Sequence, residues 1–318
     1  MPSIYHDLRE LLSNPRLYDL EIVCQHGASV KVHRLVIFLQ CPLLIEMTTE
    51  NRVAEGRIIS RIELPDVDYD TLYMMLQFFY GGNYSDLENA GSAHYPSYVI
   101  FMTMEEIKAN LETLPCFDVG LTVEDAVADG DYDDGEGLGH LETEEEGGDE
   151  DEESEGRLSD GDTSSQSQDS DRDDEEILTF QGDNLIESLK VYCLAQRFNV
   201  LPLQLLARDR FYRTAEKVLQ FSPDADSADE APWAAQDDQL IYRSKLAEAV
   251  FNSFPRAVDE LYRTVPETDT MMRAIPPILL AARYNNEGFR KHMKPLLDKY
   301  PDLAIEMIEY LRMPYYQE

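Results

Sequence analysis

The sequence predicts an α+β fold in which a small sheet with helical hairpins is interrupted by a disordered acidic insertion and followed by an all-α C-terminal region. Three observations predict this arrangement. Residues 18–84 carry the patterns of a hairpin, a helix, a strand and an amphipathic helix in quick succession. Asp and Glu dominate residues 118–176, and apolar residues recur at helical spacing over most of the chain beyond residue 183.

Residues 1–16 contain the first predicted element, an N-terminal amphipathic helix. Its apolar residues Ile4, Leu8, Leu11 and Leu12 recur at helical spacing, and Asn14-Pro15 ends it. An amphipathic stripe of this kind indicates that some surface buries the helix.

Residues 17–86 open with a predicted β-hairpin. DLEIVC and SVKVH alternate between apolar and polar residues around a bend at His26-Gly27-Ala28. Arg34–Gln40 is apolar enough to predict a buried helix, which Cys41-Pro42 breaks, and Leu43–Met47 begins another helical turn.

A strand and a capped helix follow in the same segment. Ile58, Ile62 and Leu64 predict a strand that ends at Pro65. Either Asp66 or Asp68 then caps a helix over Tyr69–Tyr80, which Gly81-Gly82 ends.

Residues 87–117 predict a partly ordered insertion with a strand and a short helix. Residues 118–176 hold about 26 acidic against 2 basic residues, a charge of about −24 out of the total of −36. Such a segment buries too little apolar surface to offset the entropy of ordering, so we expect disorder.

Three interpretations of the acidic segment 118–176 stay open. It is a solvated spacer, a binder of basic proteins such as histones or ribosomal proteins, or a phosphorylation platform. In the last case the candidate sites are Thr143, Ser159 and Ser170, each with an acidic residue three positions later.

Residues 177–220 predict a helix pair. Asp183 or Asn184 caps the first helix, and the break at Val200-Leu201-Pro202 precedes the second. A polar linker over 221–238 leads to a helical C-terminal region over 239–318, with helices expected at Gln239–Asn252, Pro255–Thr264, Asp269–Tyr284 and Phe289–Leu311.

The sequence also argues against several classes of function. It has no Gly-rich phosphate loop, no G-x-S-x-G and no H-E-x-x-H, so we expect neither an enzyme nor a bound cofactor or metal. Lys and Arg are not clustered as nucleic-acid binding requires, and no apolar run is long enough to span a membrane.

We expect His33 to be a buried, hydrogen-bonded structural residue. The four separated cysteines predict free thiols in the cytoplasm, the nucleus or both.

Three blocks of sequence resemble the BTB/POZ domain family. YDLEIVCQHGASVKVHRLVIFLQCPLL resembles the opening of that domain, and IELPDVDYDTLYMMLQFFYGGNY resembles its following segment. SLKVYCLAQRFNVLPLQLLARDRF resembles the next helix pair. Cys41 stands where the family usually has Ser, and the long insertion also departs from its pattern. The whole order of segments is similar to many fungal proteins of this family.

The resemblance implies a protein–protein interaction module that self-associates. It implies a homodimer contact through Tyr5, Leu8, Leu11 and Leu12, unless this helix only covers its own domain. It also implies a substrate adaptor for a cullin ubiquitin ligase, with Val53 and Glu55 as the cullin contact, unless these residues are ordinary surface. The alternative function is a non-degradative nuclear scaffold whose acidic segment binds basic proteins.

Overall fold

A computed structural model of the chain describes residues 3–54, 57–86, 95–115, 170–220 and 253–312. The strands are β1 (Leu20–Val23), β2 (Ser29–Val32), β3 (Glu50–Ala54) and β4 (Arg57–Glu63). The helices are α1 (Ser3–Ser13), α2 (Arg34–Gln40), α3 (Leu43–Glu46), α4 (Tyr69–Gly81), α5 (Met104–Leu111), α6 (Ser170–Arg197), α7 (Leu201–Gln220), α8 (253–264), α9 (Thr270–Arg273), α10 (Ile275–Arg283), α11 (Glu287–Lys299) and α12 (Pro301–Leu311).

The strands form one mixed sheet with the order β2-β1-β4-β3. β1 and β2 make the predicted antiparallel hairpin, in which Leu20 pairs with Val32. β4 runs parallel to β1, with Ile62 opposite Ile22, because the helical crossover between them returns the chain in the same direction. β3, an antiparallel edge strand beside β4, is absent from the sequence prediction.

Helix α4 confirms one of the two predicted caps. Asp68 is the N-cap and accepts a hydrogen bond from the backbone N–H of Thr71 at 2.8 Å. Asp66 instead pairs with Arg197, at 2.5 Å. Gly82 ends the helix in the left-handed region at φ 70°, where a residue without Cβ is favoured.

The strand that we expected within residues 87–117 does not occur in the described part, residues 95–115. This part forms a 3₁₀ turn over Tyr98–Phe101 and then α5. A capping box explains the helix start, since Thr103 accepts from the backbone of Glu106 while the Glu106 carboxylate accepts from the Thr103 N–H at 2.7 Å.

Helix α6 begins earlier than the predicted start at Asp183 or Asn184. It runs from Ser170, so the predicted boundary of disorder at residue 176 is also wrong at this end. The rest of the acidic segment, residues 118–169, lies outside the described residues.

The C-terminal region is helical as predicted, but two of its helices are split. The helix expected over Asp269–Tyr284 divides at Ala274 into α9 and α10. The helix expected over Phe289–Leu311 divides at Tyr300, because Pro301 lacks the N–H that a continuing helix needs and starts a new helix instead. The predicted linker 221–238 and helix Gln239–Asn252 lie outside the described residues.

The sheet and the C-terminal helices share one hydrophobic core. Fully buried side chains from the sheet, from the helix pair and from the C-terminal region form a continuous cluster, among them Ile22, Phe211, Phe254 and Phe289. The C-terminal helices are therefore part of the same compact unit as the sheet.

Candidate interaction surface

Helix α2 carries two large apolar side chains that are mostly exposed. Leu35 is 72% and Leu39 is 75% exposed, whereas Ile37 between them is fully buried. The prediction of a buried helix is therefore wrong for one side of α2. Leu35 and Leu39 stand one helical turn apart and face the same way. We call these two residues the α2 face.

Helix α1 packs on α4 of its own chain. Leu12 is buried and Leu8 is partly buried against the core, while Tyr5 is half-buried and Leu11 is exposed. The Arg9 guanidinium donates a hydrogen bond to the carbonyl of Gly81 at 3.1 Å. Of the four residues proposed as a dimer contact, Leu11 offers the largest exposed fraction to a second copy.

His33 makes the hydrogen bonds that the sequence predicts, but it is half-buried and not buried as expected. Its Nε2 lies 2.8 Å from the carbonyl oxygen of Arg16, just beyond α1, and its Nδ1 lies 2.9 Å from the Tyr80 hydroxyl. The Tyr80 hydroxyl also accepts from the backbone N–H of His33 at 2.8 Å. Burial raises the pKa of Tyr80 to about 12. This junction ties the chain after α1 to the start of α2 and to α4.

One of the two candidate cullin contacts, Val53, lies at the edge of the sheet. Val53 lies in β3 and pairs with Ile58 of β4, which places it on an edge strand. Glu55 lies outside the described residues. Among the candidate phosphorylation sites, Thr143 and Ser159 also lie outside them, and Ser170 is the first residue of α6.

A partly buried polar cluster joins the helix pair to the C-terminal helices. The Tyr192 hydroxyl donates to the Asp269 carboxylate at 2.5 Å, and the Gln196 amide donates to the same carboxylate at 2.8 Å. Asp269 also caps α9 by accepting from the Met272 N–H at 3.2 Å. Burial, then the Asp269 carboxylate, raises the pKa of Tyr192. An open cleft of about 360 Å³ lies over this cluster.

The described residues hold no group of His, Cys, Asp and Glu side chains that could bind a metal ion. The thiols of Cys24 and Cys41 are buried, and burial raises the pKa of both, so neither is an activated nucleophile. Cys193 is partly buried and its pKa is raised by the same cause, while Cys116 lies outside the described residues. No helix within the described ranges is long and apolar enough to cross a membrane.

Comparison with known proteins identifies the part of the chain that holds the sheet. Residues 8–112 match the family model of the BTB/POZ domain. This chain contains a BTB/POZ domain. The match takes in about half of α1 and the whole of the sheet, α4 and α5. A search of curated proteins found no match.

BTB domains are generally interaction modules that associate with themselves and with other proteins, and this one is a protein–protein interaction module. Sequence reasoning missed two features of it. The first is edge strand β3, whose short polar sequence carries no clear alternation. The second is the exposed side of α2, because an apolar run does not reveal which of its residues a single chain leaves uncovered.

Proposed function

We propose that this protein is a self-associating adaptor of a cullin ubiquitin ligase. The observation that carries the proposal is the α2 face of the BTB domain, on which Leu35 and Leu39 are about three-quarters exposed. Two large leucines on one side of a helix favour a contact with another protein chain. The His33 junction ties the chain just after α1 to the start of α2, which supports a self-association surface formed by α1 and α2 together.

The cullin scaffold would bind at the edge of the sheet. In this proposal Val53 inserts into an apolar pocket of the scaffold and Glu55 fixes the orientation with its carboxylate. The position of Val53 on an edge strand supports the proposal, since an edge strand is open to a partner. The helix pair α6–α7 extends the surface, and the C-terminal helices select the client.

The adaptor needs a client-binding part that is held firmly relative to the scaffold-binding part. The polar cluster of Tyr192, Gln196 and Asp269 supports this requirement, because it joins α6 to the C-terminal helices through charge-assisted hydrogen bonds. The shared hydrophobic core supports it as well.

The test is co-purification of a cullin with the tagged protein from its own cells. The double variant Val53→Ala/Glu55→Lys should lose the cullin. The control variant Ile308→Ala/Glu309→Lys changes an exposed apolar–acidic pair on α12 in the same way and should keep it. Equal cullin recovery with both variants would show that the cullin part of the proposal is wrong.

Self-association is tested separately on the purified protein. Replacing Leu35 and Leu39 by serine should shift the mass in solution towards the monomer of 36.5 kDa. Both residues are exposed, so the fold should tolerate the change. An unchanged mass would remove the α2 face from the proposal.

The charge of about −24 in residues 118–176 favours a second candidate function, a non-degradative nuclear scaffold that captures basic proteins. Such binding is electrostatic and should weaken steeply between low and moderate salt. Deleting residues 118–169, which leaves α6 complete, should abolish it and preserve self-association. Binding that survives the deletion would make the segment a spacer.

A further inference from the structure

A strip of large side chains lies exposed just before α5. Tyr95, Tyr98, Phe101 and Met104 recur every third residue, and we call these four the aromatic strip. Tyr95 is 75% and Phe101 is 76% exposed, while Tyr98 and Met104 are each more than 40% exposed. Three aromatic residues so close together on an exposed surface are typical of an interaction site.

The backbone beneath the strip is firmly anchored. Ser97 donates two hydrogen bonds to the carbonyl of Gly82, from its N–H at 3.0 Å and from its hydroxyl at 2.5 Å. The Asn83 amide donates to the carbonyl of Tyr95 at 3.0 Å, and Val99 is fully buried. The exposed rings therefore start from an ordered position, which lowers the entropy lost on binding.

Two residues of opposite charge lie beside members of the strip. Arg213 lies on α7, one helical turn after Asp209, whose carboxylate accepts the Tyr98 hydroxyl. Burial and Asp209 raise the pKa of Tyr98, and the nearby positive charge of Arg213 partly opposes them. Glu105 lies next to Met104 in the first turn of α5. Both charged residues are exposed, and neither makes an ion pair with any described residue.

We infer that the aromatic strip is a second self-association surface, on which another copy of this chain docks by two-fold symmetry. A two-fold contact places the same patch of both copies face to face, so the patch must be complementary to itself. The strip satisfies this condition, since its rings meet the rings of the other copy while Arg213 of each copy meets Glu105 of the other. A partner with charges of one sign only would leave either Arg213 or Glu105 without an opposite charge to contact.

The strip and the α2 face belong to different elements of the chain. The strip packs on α7 and on the end of α4, and the α2 face belongs to a helix that packs on α4. A chain with two different self-complementary surfaces assembles beyond the dimer, into a closed tetramer or an open chain. This assembly does not depend on a cullin and can be tested with the purified protein alone.

The first experiment measures the mass of the full-length protein by sedimentation, in enough salt to screen the acidic segment. The variant Tyr95→Ser/Phe101→Ser should weaken self-association at least about 30-fold, the effect expected of interface hot spots. The matched control Ile305→Ser/Ile308→Ser removes two exposed side chains of α12 and should leave the mass unchanged.

The Leu35→Ser/Leu39→Ser background separates the two surfaces. In that background the strip should still pair two copies, and adding Tyr95→Ser/Phe101→Ser should give the monomer. If the leucine substitutions change nothing but the strip variant lowers the mass, the proposed α2 contact fails and the strip is supported.

A charge exchange tests for a second copy as the occupant. In the Leu35→Ser/Leu39→Ser background, Arg213→Glu places acidic residues against each other across the two-fold axis, and Glu105→Arg places basic residues there. Each variant alone should therefore associate weakly. Mixing the two variants should restore association, because every contact then joins an acidic to a basic residue. The inference is overturned if the strip variant keeps the wild-type mass, or if mixing the two charge variants restores nothing.

Discussion

Replacing Arg210 by methionine should lower the free energy of unfolding more than replacing an exposed residue does. The Arg210 guanidinium donates to the Asp86 carboxylate at 2.6 Å and to the Asn83 side-chain oxygen at 2.8 Å, and it lies 3.9 Å from the centre of the Tyr84 ring. Only 11% of the Arg210 side chain and 3% of the Asp86 side chain are exposed. This contact ties the chain after α4 to α7.

The magnitude follows from the burial of the pair. Removing one partner leaves a charged group in the interior without its counter-charge, which costs about 3–5 kcal/mol. For a chain of this size that corresponds to a fall in Tm of roughly 6–20 °C. Thermal unfolding followed by far-UV circular dichroism measures the effect.

Two further variants sharpen this test. Adding Asp86→Asn to Arg210→Met removes the orphaned charge and should recover at least about 1 kcal/mol. Arg256→Met changes an exposed arginine on α8 and should stay within about 0.5 kcal/mol of the wild type. A cost below about 1 kcal/mol for Arg210→Met would contradict the predicted cost of breaking this buried pair. A double variant that is less stable than Arg210→Met alone would contradict it as well.

The N-cap of α4 and its C-terminal glycine give two more predictions. Asp68→Ala should cost about 1 kcal/mol at neutral pH. Burial raises the pKa of Asp68, but hydrogen bonds from Thr71 and the charge of Lys190 outweigh it and lower the pKa. The stabilisation by Asp68 is thus present above its unfolded-state pKa of about 4 and is lost as the pH falls through the lower folded-state pKa. In urea unfolding, the stability difference between Asp68→Ala and the wild type should therefore vanish below the folded-state pKa. A stability difference that persists in acid would contradict this prediction. Gly82→Ala should cost at least about 1 kcal/mol in the same assay, because its φ is 70° and the new Cβ would lie 3.0 Å from the Ile100 side chain; wild-type stability would refute the strain.

The sequence by itself determined the local elements of this protein. The hairpin, α2 and the capped start of α4 are predicted because the alternation, the breaks and the capping residue lie within a few positions of one another. The blocks that resemble the BTB/POZ family lie partly in the same segments, so the domain was also identified from sequence. The helical stripe also predicted α1, and the dimer contact that the resemblance assigns to this helix stays a prediction.

Tertiary structure alone decided how these elements cover one another. The parallel pairing of β4 with β1 and the contact between Arg210 and Asp86 join residues far apart in the chain, and no local pattern specifies such partners. The same holds for the exposed α2 face and the aromatic strip. A hydrophobic pattern states that an apolar side chain gains by leaving water, but only the packed fold decides whether its own chain covers it or leaves it for a partner.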